Sequence, residues 1–111
     1  MIYESFFLRV WKNSDGYVVK IPSKACYVRF DENLTVTEEF GVSAITNTDF
    51  ESWIGLTEEE IINLLGPIHF DNGSGLSIPS YIASDGTIFF LHFSDNVVSD
   101  VGSINIATYS G

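Results

Sequence analysis

Catalysis needs convergent groups of the right types, and this chain offers few. His69 and His92 are the only imidazoles. They stand far apart, with no spaced carboxylate or thiolate partners that would make a metal-ligand signature. His69 follows a helix stop and His92 alternates with Leu91 and Phe93 in an apolar run, so each reads as a structural or exposed histidine. Cys26 is the only cysteine, which excludes an intramolecular disulfide and a four-thiolate zinc site. A nucleophilic thiol needs an adjacent base, and in its alternating stretch Cys26 reads instead as an ordinary core thiol. No Gly-x-Ser-x-Gly elbow occurs, and Gly73-Ser74-Gly75 lacks the lysine and following helix of a phosphate cradle. It reads as a flexible loop.

Carboxylates are the most plentiful reactive groups. Glu58, Glu59 and Glu60 are of the type that serves acid–base pairs and Ca²⁺ or Mg²⁺ sites. Thr57 and Glu60 have the spacing of a capping box, however, and acidic residues in a first turn suit the helix dipole. Asp71-Asn72-Gly73 has the look of a calcium loop but lacks its ligand series and terminal Glu. The residues therefore predict a non-enzymatic protein with no catalytic residue, no cofactor and no metal.

The elements that would position these groups follow from periodicity. Residues 3–11 alternate, with Phe6, Leu8 and Val10 on one face and Phe7, Arg9 and Trp11 on the other, as in a strand. Asp15-Gly16 supplies turn chemistry, residues 17–21 return, and Pro22 ends the hairpin. A third strand is expected over 25–30, with a turn at Asp31-Glu32-Asn33. Weaker strands at 34–37 and 40–45 are separated by Glu38-Glu39. Residues 46–52 suit a short helical turn before Trp53 and Ile54, which read as buried anchors.

One helix is expected over about 57–65, with Ile61, Leu64 and Leu65 on one face and Ile62 beside them, stopped by Gly66 and Pro67. After a loop over 71–77, strands at 78–83, 87–93 and 97–101, the last continuing toward Ile104 and Ile106, form a meander. The expected class is α+β: a mostly antiparallel sheet with one short capped helix packed on it. At 111 residues one domain is expected, with an N-terminal hairpin region over 1–54 and a helix-plus-meander over 55–111.

Charge narrows the function further. All five basic residues, Arg9, Lys12, Lys20, Lys24 and Arg29, fall before residue 30, and against Glu4 and Asp15 they leave that segment at +3. Residues 30–111 carry 13 carboxylates and neither Lys nor Arg. Such a field repels nucleic acid and anionic membranes and attracts basic proteins. The N-terminus lacks a basic n-region followed by a continuous apolar stretch, and no apolar run approaches the length of a membrane span. A cytoplasmic location is expected.

The stretch from Gly55-Leu56-Thr57-Glu58-Glu59-Glu60-Ile61-Ile62 through Asn63-Leu64-Leu65-Gly66-Pro67, a Gly-rich loop and three strands, has a familiar form. Over about 55–101 it resembles the helix-plus-meander unit of the small lipoprotein and β-lactamase-inhibitory-protein superfamily. The chain departs from that family in Pro67 directly after Gly66, in the lack of a lipid-attachment cysteine and in its N-terminal half. The resemblance implies an adaptor or inhibitor and transfers no contact residue. In size and charge the chain is also similar to bacterial immunity proteins, which cover the active sites of toxin domains.

The leading expectation is an acidic immunity or inhibitor protein, monomeric or weakly dimeric. It would occlude a basic toxin domain, such as a nuclease, through Asp31, Glu32, Glu38, Glu39, Asp49, Glu51, Glu58, Glu59 and Asp71. The alternative is an adaptor or assembly domain that binds a peptide or subunit through a sheet edge or an aromatic surface, with Phe7 and Trp11 as anchors.

Overall fold

Alternating side chains in the N-terminal third build an antiparallel meander. In the structure, a computed structural model that describes residues 1–73 and 75–109, five strands pair in chain order: β1 (Tyr3–Glu4), β2 (Arg9–Asn13), β3 (Gly16–Ile21), β4 (Cys26–Asp31) and β5 (Val36–Phe40). Four more, β6 (Phe70–Asp71), β7 (Pro79–Ile82), β8 (Thr87–Ser94) and β9 (Val97–Asn105), form a second antiparallel sheet, also in chain order. One α-helix among the described residues, α1 (Glu58–Leu65), follows a 3-10 turn at Phe50–Trp53. The fold is α+β and mostly antiparallel, as the patterning predicts. No helix among the described residues is long and apolar enough to cross a membrane.

The second sheet is covered on both faces, which explains why its strands read as apolar runs. Ile82 and Ile88 join Val10, Val19, Val28 and Phe30 of sheet one in one buried cluster. Their strand neighbours Tyr81, Phe89 and Leu91 join Trp53 and Ile61 in another. The layers are thus sheet one, sheet two, and the helix with its preceding turn. Each layer contact rests on period-two alternation.

Several boundaries depart from the sequence pattern. The expected strand over residues 3–11 is broken: Ser5 Oγ accepts hydrogen bonds from the Phe7 and Leu8 amides at 3.2 and 3.1 Å, turning β1 back on β2. Phe6 lies at this turn, 91% exposed, while Leu8 and Val10 are buried as expected. Glu38 and Glu39 do not separate two strands; they lie inside β5, an edge strand with room for charge. Leu34 sits in the preceding turn at φ 63°. Of the expected anchors Trp53 is buried, but Ile54 is 47% exposed. The capping box of Thr57 and Glu60 is present, and Ile61 is buried, whereas Leu64 points outward at 47% exposure because eight residues offer sheet two too narrow a contact stripe. The C-terminal meander gains a fourth strand, β6, paired to β7. Ser74 of the expected Gly-rich loop lies outside the described residues.

Gly16 closes the β2–β3 hairpin at φ +146°, where a Cβ would stand 2.0 Å from the Phe30 carbonyl oxygen. Only glycine lets β4 approach this closely. The short loop is fixed by Asn13 Oδ1, which accepts from the Asp15 amide at 3.0 Å.

Candidate functional site

The sequence places three carboxylates at the start of α1, and the chain's return past them builds a cleft. Val97 bridges Thr57, the Gly55 amide donates to the Val98 carbonyl, and the Val98 amide donates to the Leu56 carbonyl, both at 2.8 Å. This ties the helix entry to the first residues of β9. The β8–β9 turn at Asp95 and Asn96, with φ of 53° and 67°, therefore lies beside Glu58 and Glu59. Together with Thr57, Ser77 and Phe93 they line an open cleft of about 570 Å³. No Lys or Arg lines it, and neither ion pair among the described residues involves it. The backbone that carries its carboxylates is set by the Thr57–Glu60 cap and by the tight β8–β9 turn.

The other carboxylates expected at a partner surface are not gathered here. Asp31 Oδ1 accepts from the Asn33 and Thr35 amides at 2.8 and 3.0 Å and so builds its own turn. Glu38 accepts from the Tyr27 hydroxyl at 2.6 Å and pairs with Arg29 Nε at 3.1 Å. Glu39 accepts from the Ala44 amide, holding the segment that leaves β5. Asp71 Oδ1 accepts from the Gly73 and Ile78 amides, each at 2.8 Å, and Oδ2 from the Ser77 hydroxyl at 3.1 Å. Desolvation pushes the Asp71 carboxyl up, but these donors outweigh it and hold its pKa below the ordinary value. Glu32 is exposed at the β4–β5 turn, and Asp49 and Glu51 are exposed at the 3-10 turn. Of the nine, only Glu58 and Glu59 share the cleft. Asp95 falls in the gap between the strands expected at 87–93 and 97–101, but no local signal places that gap against the helix cap.

The two histidines divide as their surroundings dictate. His69 is buried, its Nδ1 accepting from the Ile82 amide at 2.9 Å. Burial lowers its pKa to about 4; Lys24 adds to the effect and a backbone hydrogen bond at Ser43 opposes it. In this neutral state the ring ties the segment after α1 to β7. His92 is exposed on β8. Cys26, expected in the core, is half-buried at the end of β4, its Sγ within 3.2 and 3.3 Å of the Lys24 and Gly41 carbonyls. It shares the inward face of β4 with Val28 and Phe30, opposite buried Ile21, and packs against the edge of the first core cluster. No group of three or more potential metal ligands occurs among the described residues.

The outer face of sheet one has a different chemistry. Register aligns Glu4, Arg9, Lys20, Tyr27 and Phe40 in one row across the five strands, and Trp11, Val18, Arg29 and Glu38 in the next. Tyr27 and Phe40 stack at 5.5 Å, Lys20 Nζ lies 5.9 Å from the Trp11 ring and the Arg29 guanidinium 5.3 Å from that of Tyr27. The hydrogen bond to Glu38 raises the Tyr27 pKa. Phe7, expected on this face with Trp11, is instead half-buried against the first core cluster. No family model, curated protein or solved structure matches the chain.

Proposed function

We propose that this chain is a non-enzymatic binding protein that presents its acidic side to a basic protein and occludes it, in the manner of an immunity protein neutralising a toxin domain. The observation that carries the reading is the cleft of Glu58, Glu59 and Asp95, three carboxylates outside both ion pairs on an open surface with no lining cation. A partner's Arg or Lys supplies the missing counter-charge, and Phe93 gives its aliphatic stem an apolar wall. The wider negative field steers a basic surface toward the cleft and raises the association rate. A nuclease domain, basic because it must hold phosphates, is the partner class that this chemistry serves best.

Affinity capture with the intact protein, run beside the combined variant Glu58→Lys, Glu59→Lys, Asp95→Lys, tests the reading. A basic partner held by the first and released by the second is expected, with an on-rate that falls at least tenfold between low and high salt. A captured partner that is acidic, or one whose on-rate ignores both salt and the substitutions, would overturn it.

A further inference from the structure

Two clefts meet at Cys26, toward the C-terminal end of α1 and away from the acidic cleft at its N-terminal end. One, of about 300 Å³, lies on the outer face of sheet one against Arg9, Trp11, Lys20 and Tyr27. The other, of about 510 Å³, is bounded by Lys24, Val42, Leu65 and Ile68. Neither has a carboxylate in its lining, although the chain carries 15, and between them they hold three of its five Lys and Arg residues. Lys20 and Lys24 take part in neither ion pair. The first is held against the Trp11 ring, and the second donates to the Ile68 carbonyl at 3.4 Å. Neutral groups position both ammoniums and leave their charge uncompensated. Beside them Trp11 is 38% and Phe40 58% exposed.

We infer that this double cleft docks an acidic segment of a partner protein in which carboxylates alternate with apolar side chains. An extended segment presents same-side residues about 7 Å apart, and neighbouring strands of the sheet below lie about 5 Å apart. At those spacings carboxylates meet Lys20 and Lys24, the cations outside the ion pairs, while apolar side chains meet Trp11 and the Val42–Ile68 wall. A long polyanion is a poor occupant, because Glu4 and Glu38 flank the outer face and residues 30–111 carry 13 carboxylates, Glu38 among them. This surface is independent of the acidic-side reading and gives the molecule a second, oppositely charged contact.

Panning a random displayed peptide library against the intact protein tests the inference, with the enriched peptides then measured by fluorescence anisotropy. Enriched sequences should carry Asp or Glu alternating with Leu, Phe or Trp. Lys20→Glu and Lys24→Glu, both at exposed positions, should each weaken binding about tenfold, Trp11→Ala comparably, and Glu58→Lys not at all. Enrichment of basic peptides, no enrichment, or affinities indifferent to Lys20 and Lys24 would each overturn the inference. Tighter binding of a single-stranded oligonucleotide or an anionic vesicle through these same lysines would overturn the peptide occupant, as would self-association abolished by Lys20→Glu. Because Glu58→Lys is silent here and disruptive to a basic partner, the two readings fail separately.

Discussion

At the scale of the residue, His69 couples burial to pH. Its Nδ1 must stay unprotonated to accept from the Ile82 amide, and burial places its folded pKa at about 4, below the ordinary 6.5. As pH falls, the unfolded chain therefore takes up this proton first, and the folded state loses stability between about 6.5 and 4. The full loss is about 3 kcal/mol at about 1.4 kcal/mol per pKa unit. Asp71 acts lower, since its pKa is depressed below the ordinary carboxylate value: its contribution is complete above that value and disappears as pH falls through the folded one. Denaturant titrations at pH 7, 5.5 and 4.5, compared between the native chain and His69→Asn, separate the two groups. The variant should be less stable at pH 7 and show a flatter difference toward pH 4.5; parallel pH curves would mean that His69 titrates alike in both states. Trp53 offers a second residue-level test, because its indole N–H is buried without a hydrogen-bond partner among the described residues. Trp53→Phe removes that orphan donor along with part of the ring, so its cost should fall below the 3–5 kcal/mol or so of a Trp→Ala truncation, measured as Trp53→Ala beside it.

At the scale of the element, α1 stands at the junction of sequence signal and tertiary context. Its eight residues are too few to hold a helix alone, so the cap and the Ile61 contact must do it. Thr57→Ala should cost about 1 kcal/mol, Ile61→Ala about 2–5 kcal/mol and Leu64→Gln under about 0.5 kcal/mol, each read from the denaturant midpoint. A large loss at Leu64 would contradict its outward placement. The cap was legible because Thr57 and Glu60 encode it within four residues, and the β2–β3 hairpin because Asp15-Gly16 encodes its turn. What failed was what depends on distant partners. The face of Leu64 is set by how much of α1 sheet two can cover; the break after Glu4 is the local exception, made by Ser5 bonding to Phe7 and Leu8 within an otherwise continuous alternation. The placement of Glu38 and Glu39 within β5 depends on β4, where Arg29 lies opposite Glu38 in register. The candidate site was half legible for the same reason: Glu58 and Glu59 are local to the cap, whereas Asp95 joins them through the Thr57–Val97 bridge and the hydrogen bonds of Val98 to Gly55 and Leu56.

At the scale of the molecule, charge is distributed so that folding itself is opposed. The chain carries −10, both ion pairs among the described residues lie within sheet one, and their side chains are about half exposed. Such pairs contribute little. The molecule measures 44 × 27 × 26 Å. At 10 mM salt the screening length is about 30 Å, so carboxylates on opposite sides repel one another; at 0.15 M it is about 8 Å and only neighbours do. Added sodium chloride should therefore stabilise the fold, raising Tm by a few degrees over this range. The combined variant Glu58→Gln, Glu59→Gln, Asp95→Asn, which removes three of the repelling charges, should respond less to salt. Thermal unfolding followed by circular dichroism reads both effects. A Tm that falls with salt would instead show that Arg9–Glu4 and Arg29–Glu38 outweigh the repulsion. The expected result bears on binding as well, because charge that strains the free fold is charge that a basic partner relieves. The same salt that stabilises the free protein should weaken its complex.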